Sequence, residues 1–131
     1  LIISNTTINR GNDLKSNKKN EIGGLSGAPL FRKSTEILME ANKIKKKLKA
    51  NIFLIATGGV QDGYSAYVKI LCGAHLIQLY TSLAYNGPLI SKRILNELKT
   101  FMVRDNINSL DSIRGIANSF EEALIIAKKG F

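Results

Sequence analysis

The sequence predicts an α/β fold, the C-terminal part (about three βα units) of a (β/α)8 TIM barrel. Short apolar runs at residues 1–4, 52–56 and 76–80 each lead into small or hydroxyl residues, and helical patterns alternate with them. Such alternation is typical of parallel βαβ units. A closed barrel needs about 250 residues, so a small open α/β domain is the other fold that this pattern allows. Because the chain starts inside an apolar run without an initiator Met, we expect a piece of a longer protein.

The composition fits one domain of 131 residues, and an apolar fraction of 44% is enough for a core. The net charge of +9 arises from 19 basic and 10 acidic residues. Much of the basic excess is local, in a loop with Lys15, Lys18 and Lys19 and near one helix end with Lys43, Lys45, Lys46, Lys47 and Lys49. The run at the helix end has no interleaved aromatic residues, so it favours a solvated helix terminus and no nucleic-acid partner.

The chain has a single cysteine, Cys72, which excludes an internal disulfide and a cysteine-cluster metal site. Its position at a helix end between Leu71 and Gly73 predicts a buried structural thiol. No apolar run approaches the roughly 18 residues of a transmembrane helix. We therefore expect no metal site, no signal peptide and no membrane-spanning segment in this chain.

The first half of the chain predicts a strand at 1–4, a long loop at 8–29 and a helix from about Leu30 to Leu48. The loop is polar, and its most specific piece is Gly23-Gly24-Leu25-Ser26-Gly27. Loops of this length inside compact domains are often functional. The helix has apolar residues at helical spacing, which predict one buried stripe, and these are Ile37, Ala41, Ile44 and Leu48.

The second half predicts strands at 52–56 and 76–80 and a helix from Gly63 to Cys72, with Asp62 as its N-cap. Pro88 fits the first turn of a further helix that runs to about Val103, with a buried face made by Ile90, Ile94, Leu98 and Phe101. Two short helices are predicted near 110–116 and 120–129. Ser119 and Glu122 have the spacing of a capping box before the last one.

Polar residues and glycines follow all three predicted strands, as Ser4-Asn5-Thr6, Thr57-Gly58-Gly59 and Tyr80-Thr81. Parallel strands bring these ends to one edge of the sheet, where α/β enzymes place their sites. Gly58-Gly59 lets a backbone approach a phosphate without a Cβ in the way, and Tyr80-Thr81 supplies amides and hydroxyls opposite. This pairing predicts a site for a phosphorylated cofactor.

Together these motifs resemble dihydroorotate dehydrogenase of the membrane-associated, quinone-reducing class. The matching segments are Leu1-Ile2-Ile3-Ser4-Asn5-Thr6-Thr7, Gly23-Gly24-Leu25-Ser26-Gly27-Ala28-Pro29-Leu30, Gly58-Gly59-Val60, Gly73-Ala74, Leu76-Ile77-Gln78-Leu79-Tyr80-Thr81 and Gly87-Pro88. The resemblance covers residues 1–115, and residues 116–131 are interpreted as a C-terminal extension of unknown role. The soluble class usually has an Asn-Ser-Ile type segment in place of Asn5-Thr6-Thr7 and lacks a Tyr-Thr pair after the third strand.

The resemblance implies an FMN-containing barrel that oxidises dihydroorotate to orotate in de novo pyrimidine (UMP) biosynthesis and passes electrons to a ubiquinone-type acceptor. It implies FMN contacts from Ser4, Gly27, Gly59, Tyr80 and Thr81, with the last three at the phosphate, and a flavin-site position for Ser26. Asn5 and Thr6 would bind the substrate ring, since amide and hydroxyl groups match an imide edge.

The resemblance assigns no catalytic base to this chain, because in the family that serine precedes the segment present here. It also implies membrane association through an N-terminal region upstream, at the mitochondrial inner membrane in a eukaryote or the cytoplasmic membrane in a bacterium. We expect the chain alone to be inactive.

Two alternatives remain open from the sequence. One is another FMN-dependent TIM-barrel oxidoreductase with the same phosphate site. The other is a non-catalytic basic module that binds an anionic partner, which would leave the strand-end motifs unexplained. The lone His75 lies at a strand start, and we expect it to be structural.

Overall fold

The computed structural model describes residues 1–11 and 14–131. Its sheet has three parallel strands in the order β1 (Ile2–Ile3), β2 (Ile55–Thr57) and β3 (Leu76–Gln78). Ala56 of β2 pairs with Ile3 on one side and with Ile77 on the other. Strands that neighbour each other in sequence are therefore neighbours in the sheet, as in the wall of a βα barrel. The predicted parallel βαβ organisation is confirmed, although each strand is shorter than predicted.

Five α-helices accompany the sheet in the described residues: α1 (Phe31–Lys47), α2 (Gly63–Leu71), α3 (Thr81–Asn86), α4 (Ile90–Arg104) and α5 (Phe120–Lys129). Short 3₁₀-helices span Ala28–Leu30 and Leu110–Ile113. The second of these replaces the helix predicted at 110–116. Helix α3 was not predicted at all, because its six residues are too few to show a periodic apolar pattern.

The predicted buried stripe of α1 is wrong except at Ala41, which is partly buried against the core. Ile37, Ile44 and Leu48 are 43%, 57% and 70% exposed. The side that faces the sheet and the other helices instead has Ser34, Thr35, Leu38, Met39 and Asn42. Hydroxyl groups can occupy this buried side because they bond back to the helix itself: Thr35 Oγ1 donates to Phe31 O at 2.6 Å. Apolar spacing thus identified a stripe of the helix but not the stripe that this structure buries.

Helix α2 forms the centre of the core, with Ala66, Tyr67, Val68 and Leu71 fully buried. It packs against α4, α5 and α1. Its start confirms the predicted N-cap, because Asp62 Oδ1 accepts a hydrogen bond from Ser65 N at 2.7 Å. The predicted buried face of α4 is also confirmed, with its aliphatic members Ile90, Ile94 and Leu98 all buried.

The C-terminal helix α5 shares this core through Phe120, Ala123 and Ala127, which are buried. Ser119 caps it as predicted, since its Oγ accepts from Glu122 N at 3.0 Å. The second half of the predicted capping box is displaced by one residue: Glu122 Oε2 accepts from Asn118 N. Residues 116–131 are thus packed on α2 and α1 rather than projecting from the fold.

The predictions for the two single residues Cys72 and His75 agree with the structure. Cys72 is a buried thiol, and burial raises its pKa to about 12, which makes it inert as a nucleophile. His75 has a structural position, because its Nδ1 accepts from Leu54 N at 3.2 Å. The lysine run ends α1, and Lys46 Nζ donates to Gly115 O at 2.7 Å. Across residues 1–11 and 14–131, no helix has both the length and the apolar character of a membrane span.

A buried polar network joins α2, α4 and α5. Tyr67 OH donates to Asp105 Oδ2 at 2.7 Å, Arg104 Nε donates to Asp105 Oδ1 at 2.6 Å, and Arg104 Nη1 donates to Ala127 O at 2.9 Å. The Asp105 side chain is 1% exposed. Hydrogen bonds from Arg104 and then Tyr67 lower the pKa of Asp105 and outweigh its burial, which acts in the opposite direction. The network therefore fixes the C-terminal end of α5 to the core.

Replacing Asp105 by alanine should lower the free energy of unfolding by about 2 kcal/mol, because Tyr67 OH and Arg104 lose a buried partner. Urea denaturation of the protein that contains this chain would measure the loss. Asp111→Ala is the matched control: its side chain is 74% exposed and pairs with Arg114 at the surface, so its cost should stay under about 1 kcal/mol. Equal losses in the two variants would contradict the structural role of the network.

The Asp105 carboxylate should also make the free energy of unfolding depend on pH in the acid range. Because folding lowers the pKa of Asp105, its stabilisation is present above the unfolded-state pKa of about 4 and is lost as the pH falls through the folded-state value. Urea unfolding measured between about pH 6 and pH 2 should therefore show a smaller acid-induced loss for Asp105→Ala than for the unaltered protein. Parallel pH curves for the two proteins would argue against a lowered pKa.

Candidate functional site

The C-terminal ends of the three strands surround a cavity of ≈ 220 Å³. Residues that follow β1, residues at the ends of β2 and β3, and the glycine-rich loop line it together. All seven residues that the sequence analysis assigned to a cofactor or substrate are among them: Ser4, Asn5, Thr6, Gly27, Gly59, Tyr80 and Thr81. The structure therefore brings the predicted set into one place, while the role of each residue stays a prediction.

The glycine-rich loop is docked directly on the end of β1. Thr7 N donates to Leu25 O at 3.1 Å, and Leu25 N donates to Thr7 O at 2.8 Å, which forms an antiparallel bridge. A Cβ added at Gly24 would overlap the hydroxyl oxygen of Thr6. Gly24 is therefore required for this approach, which sets the loop beside Asn5 and Thr6 and places Ser26 and Gly27 in the cavity wall.

The same loop also meets the end of β3. Thr81 Oγ1 donates to Ser26 Oγ at 3.1 Å. Gly27 has a φ of 79°, and a Cβ there would come within 3.0 Å of Thr81 Cγ2. A side chain at this position would be both strained and crowded. The contact closes the cavity between the loop and the first turn of α3.

The structure shows a steric reason for glycine at position 59. Its φ is 77°, and an added Cβ would overlap Phe31 Cα and lie 2.5 Å from Phe31 N. The start of α1 therefore constrains this position to glycine, and the predicted approach of a phosphate to its backbone stays a prediction. As a result, Gly59→Val would displace α1, so a loss of ligand in that variant would not report on a phosphate site specifically.

Helix α3 begins where β3 ends and supplies cavity residues that the sequence analysis missed. The Ser82 hydroxyl donates to Val60 O, and both residues line the cavity. This bond joins α3 to the turn after β2. The Tyr80 side chain is 82% exposed, so most of its ring lies in solvent. The hydroxyl pair at 81–82 directly after an apolar strand was the signal available in the sequence.

Asn5 and Thr6 lie at the exposed side of the cavity. Asn5 Oδ1 accepts from Thr6 N at 2.7 Å, which orients the carboxamide. Close to them, Lys33 Nζ donates to Thr7 Oγ1 at 3.3 Å. The arrangement offers neighbouring amide and hydroxyl groups that can match the donors and acceptors of a small polar ring.

A buried lysine behind the cavity wall was also missed. Lys69 on α2 has 0% exposure, and its Nζ donates to Ser34 Oγ at 2.5 Å. Ser34 Oγ in turn donates to Gly58 O at 2.9 Å. Burial lowers the pKa of Lys69 to about 7. Its position between Val68 and Ile70, in an apolar helix, was the signal that could have identified it.

The fold and the site define a class. Parallel βα units whose strand ends surround one cavity, walled by a glycine turn and hydroxyl side chains, place the chain in the class of βα barrels.

The sequence profile described as dihydroorotate dehydrogenase matches residues 1–102. The chain belongs to the dihydroorotate dehydrogenase family, which confirms the resemblance found in its motifs.

Two bacterial relatives illustrate the similarity. A protein of Bartonella henselae named dihydroorotate dehydrogenase (quinone) is 41% identical over 114 residues, which are 87% of this chain and 31% of that protein. A protein of the same name from Azorhizobium caulinodans is 42% identical over 110 residues, or 84% of this chain and 30% of that protein. The chain therefore spans about a third of the length of the curated relatives it matches.

Two solved structures from Eimeria tenella are also similar. A ligand-free dihydroorotate dehydrogenase (DHODH) superposes with a TM-score of 0.81 at 35% identity over 90% of this chain and 32% of that one. The same enzyme in complex with ferulenol gives a TM-score of 0.79 at 36% identity, with 88% and 30% covered. The predicted fold class is confirmed: the chain corresponds to the C-terminal units of a (β/α)8 barrel.

Replacing Gly24 by alanine should release the glycine-rich loop from β1. The added Cβ overlaps the Thr6 hydroxyl, and such overpacking costs about 1–3 kcal/mol. In the complete barrel that contains this chain, we expect the amides of Thr7 and Leu25 to exchange with deuterium roughly ten- to a hundredfold faster. Ser26→Ala is the control, because it removes only the bond to Thr81. Unchanged exchange in Gly24→Ala would contradict the docking described here.

Proposed function

We propose that the protein containing this chain is a quinone-dependent dihydroorotate dehydrogenase. It would oxidise dihydroorotate to orotate through FMN, in de novo UMP biosynthesis, with a ubiquinone-type electron acceptor. The observation that carries this proposal is that all seven residues implied by the family resemblance line one cavity at the strand ends. The relatives named dihydroorotate dehydrogenase (quinone) support it.

The residues around the cavity fit an FMN phosphate. None of the described residues lining it is Asp or Glu, and its polar groups are hydroxyls, carboxamides and backbone amides, which suit an anion. We assign Gly59, Tyr80 and Thr81 to the phosphate and Ser4 and Gly27 to the rest of the cofactor. The bond between Thr81 and Ser26 would hold the phosphate side of the cavity closed. FMN, when bound, would supply the two-electron redox chemistry.

The substrate would lie against Asn5 and Thr6. The bond from Thr6 N fixes the Asn5 carboxamide, so that it donates to a ring carbonyl without prior reorganisation. Thr6 would add a hydroxyl that can donate or accept. The docking of Gly24 on Thr6 keeps both groups beside the cofactor cavity.

Some parts of the proposed enzyme are not supplied by this chain. We propose that the catalytic base, the quinone pocket and the membrane-associating region belong to other parts of the protein. Its location would then be the inner mitochondrial membrane in a eukaryote or the cytoplasmic membrane in a bacterium. Within the chain, residues 1–115 would form the C-terminal portion of the FMN-binding barrel and residues 116–131 an extension that packs on it. The chain alone would be inactive.

Anaerobic reduction of the purified complete protein tests the proposal. Its flavin absorbance should bleach on addition of dihydroorotate and return on addition of a short-chain quinone, but not of fumarate or NAD. A yellow protein that ignores dihydroorotate would instead be a different flavin-dependent barrel. A colourless protein that binds no FMN, yet shows salt-dependent binding to an anionic surface, would favour the basic module.

Asn5→Ala should raise the KM for dihydroorotate roughly ten- to a hundredfold while the flavin content stays normal, because the variant removes a substrate hydrogen bond of about 1–3 kcal/mol. Steady-state kinetics and the flavin-to-protein absorbance ratio measure the two effects. Asn9→Ala is the matched control, since Asn9 is exposed on the same segment and does not line the cavity. Unchanged kinetics in Asn5→Ala would remove Asn5 from the substrate site.

A further inference from the structure

Among the described residues, Lys69 is the only Asp, Glu, Lys or Arg that is fully buried. It lies on α2 and is held between the Ser34 hydroxyl and the Phe31 ring, whose centroid is 5.8 Å from Nζ. No carboxylate among the described residues pairs with it. Burial of a lysine without an ion pair is costly, and an apolar side chain of similar size would be more stable here. The fold therefore retains a destabilising group at this position.

The contacts of Lys69 lead to the cavity in two hydrogen bonds. Because Lys69 Nζ donates to Ser34 Oγ, the hydroxyl hydrogen of Ser34 remains for a carbonyl. Gly58 O is the nearer carbonyl at 2.9 Å, compared with 3.2 Å for Phe31 O. Gly58 itself lines the cavity. The chain of donors thus ends on the turn assigned to the phosphate.

The peptide unit after Gly58 transmits this contact. The Gly58 carbonyl and the Gly59 N–H belong to one planar trans peptide and point in opposite directions. Ser34 binds the carbonyl from the side of α1, so the Gly59 N–H is directed away from α1. A hydrogen bond accepted at the carbonyl polarises the peptide and makes its N–H a stronger donor. A cationic first donor increases this effect.

We propose that Lys69 is a positioning residue for the phosphate of the flavin. Through Ser34 it orients the Gly58–Gly59 peptide toward the cavity, and its ammonium group places a positive charge behind the phosphate site. This inference rests on the proposed function, because it needs FMN in the cavity. It assigns a binding role to a residue that does not itself contact the ligand.

Lys69→Met in the complete protein tests the inference, because methionine keeps the length and apolar stem without the charge. Apoprotein would be titrated with FMN and with riboflavin, which lacks the phosphate, and flavin fluorescence would report binding. We expect the affinity for FMN to fall about tenfold or more, the affinity for riboflavin to change less than about twofold, and the melting temperature to stay equal or rise. Lys47→Met, at an exposed position on α1, is the control and should bind both flavins normally.

Ser34→Ala provides an independent test, since it breaks the link to Gly58 while Lys69 stays in place. It should show the same selective loss of FMN affinity. FMN affinity unchanged in either variant would overturn the inference. So would equal losses for FMN and riboflavin with a lower melting temperature, which would indicate a purely structural role. If the unaltered apoprotein binds neither flavin, the proposed function itself fails, and that result is distinct from any difference between the variants.

Discussion

The close approach of the Gly58–Gly59 turn to the first turn of α1 is the contact on which the site depends. Gly59 has no room for a Cβ beside Phe31, and Ser34 bonds to the Gly58 carbonyl. The turn after β2 is therefore held by backbone sterics and by a hydrogen bond at once. Since α1 begins just after the glycine-rich loop, the same contact also fixes where that loop passes the cavity. The positions of the glycine-rich loop, the start of α1 and the turn after β2 thus depend on two glycines and one serine.

Helix α2 is an apolar core helix that contains one buried lysine. Most of its side chains are apolar and buried, and its N-cap at Asp62 is fully bonded. Lys69 is the exception, because burial lowers its pKa to about 7 and so opposes its charge. A bound phosphate would favour the charged form in return. The Tyr67–Asp105–Arg104 network shows the contrasting case, in which a buried carboxylate has its hydrogen bonds satisfied within the protein.

The sequence was sufficient for features that depend on local pattern. The strand ends, the Asp62 cap and the apolar face of α4 follow from periodicity and capping chemistry, and the family resemblance named the seven cavity residues. Features that depend on tertiary packing were not predictable. The pattern of α1 could not show that Ser34 would be buried, since its hydroxyl bonds to the Gly58 carbonyl across the fold. Likewise, the sequence could not show that Gly59 lies against the backbone at the start of α1.

The exposed apolar residues of α1 and β1 can be compared with the arrangement of a complete (β/α)8 barrel. Ile37, Ile44 and Leu48 are exposed, yet a helix in a (β/α)8 barrel contacts the sheet on one side and neighbouring helices on both flanks. The residues Leu1 and Ile2 at the start of the chain are exposed as well, and within residues 1–11 and 14–131 β1 is an edge strand that pairs with β2. The solved structures that superpose on this chain are about three times longer. We therefore expect the apolar residues of β1, which lie at the open edge of the sheet, to be covered by the unit beside it in a complete barrel.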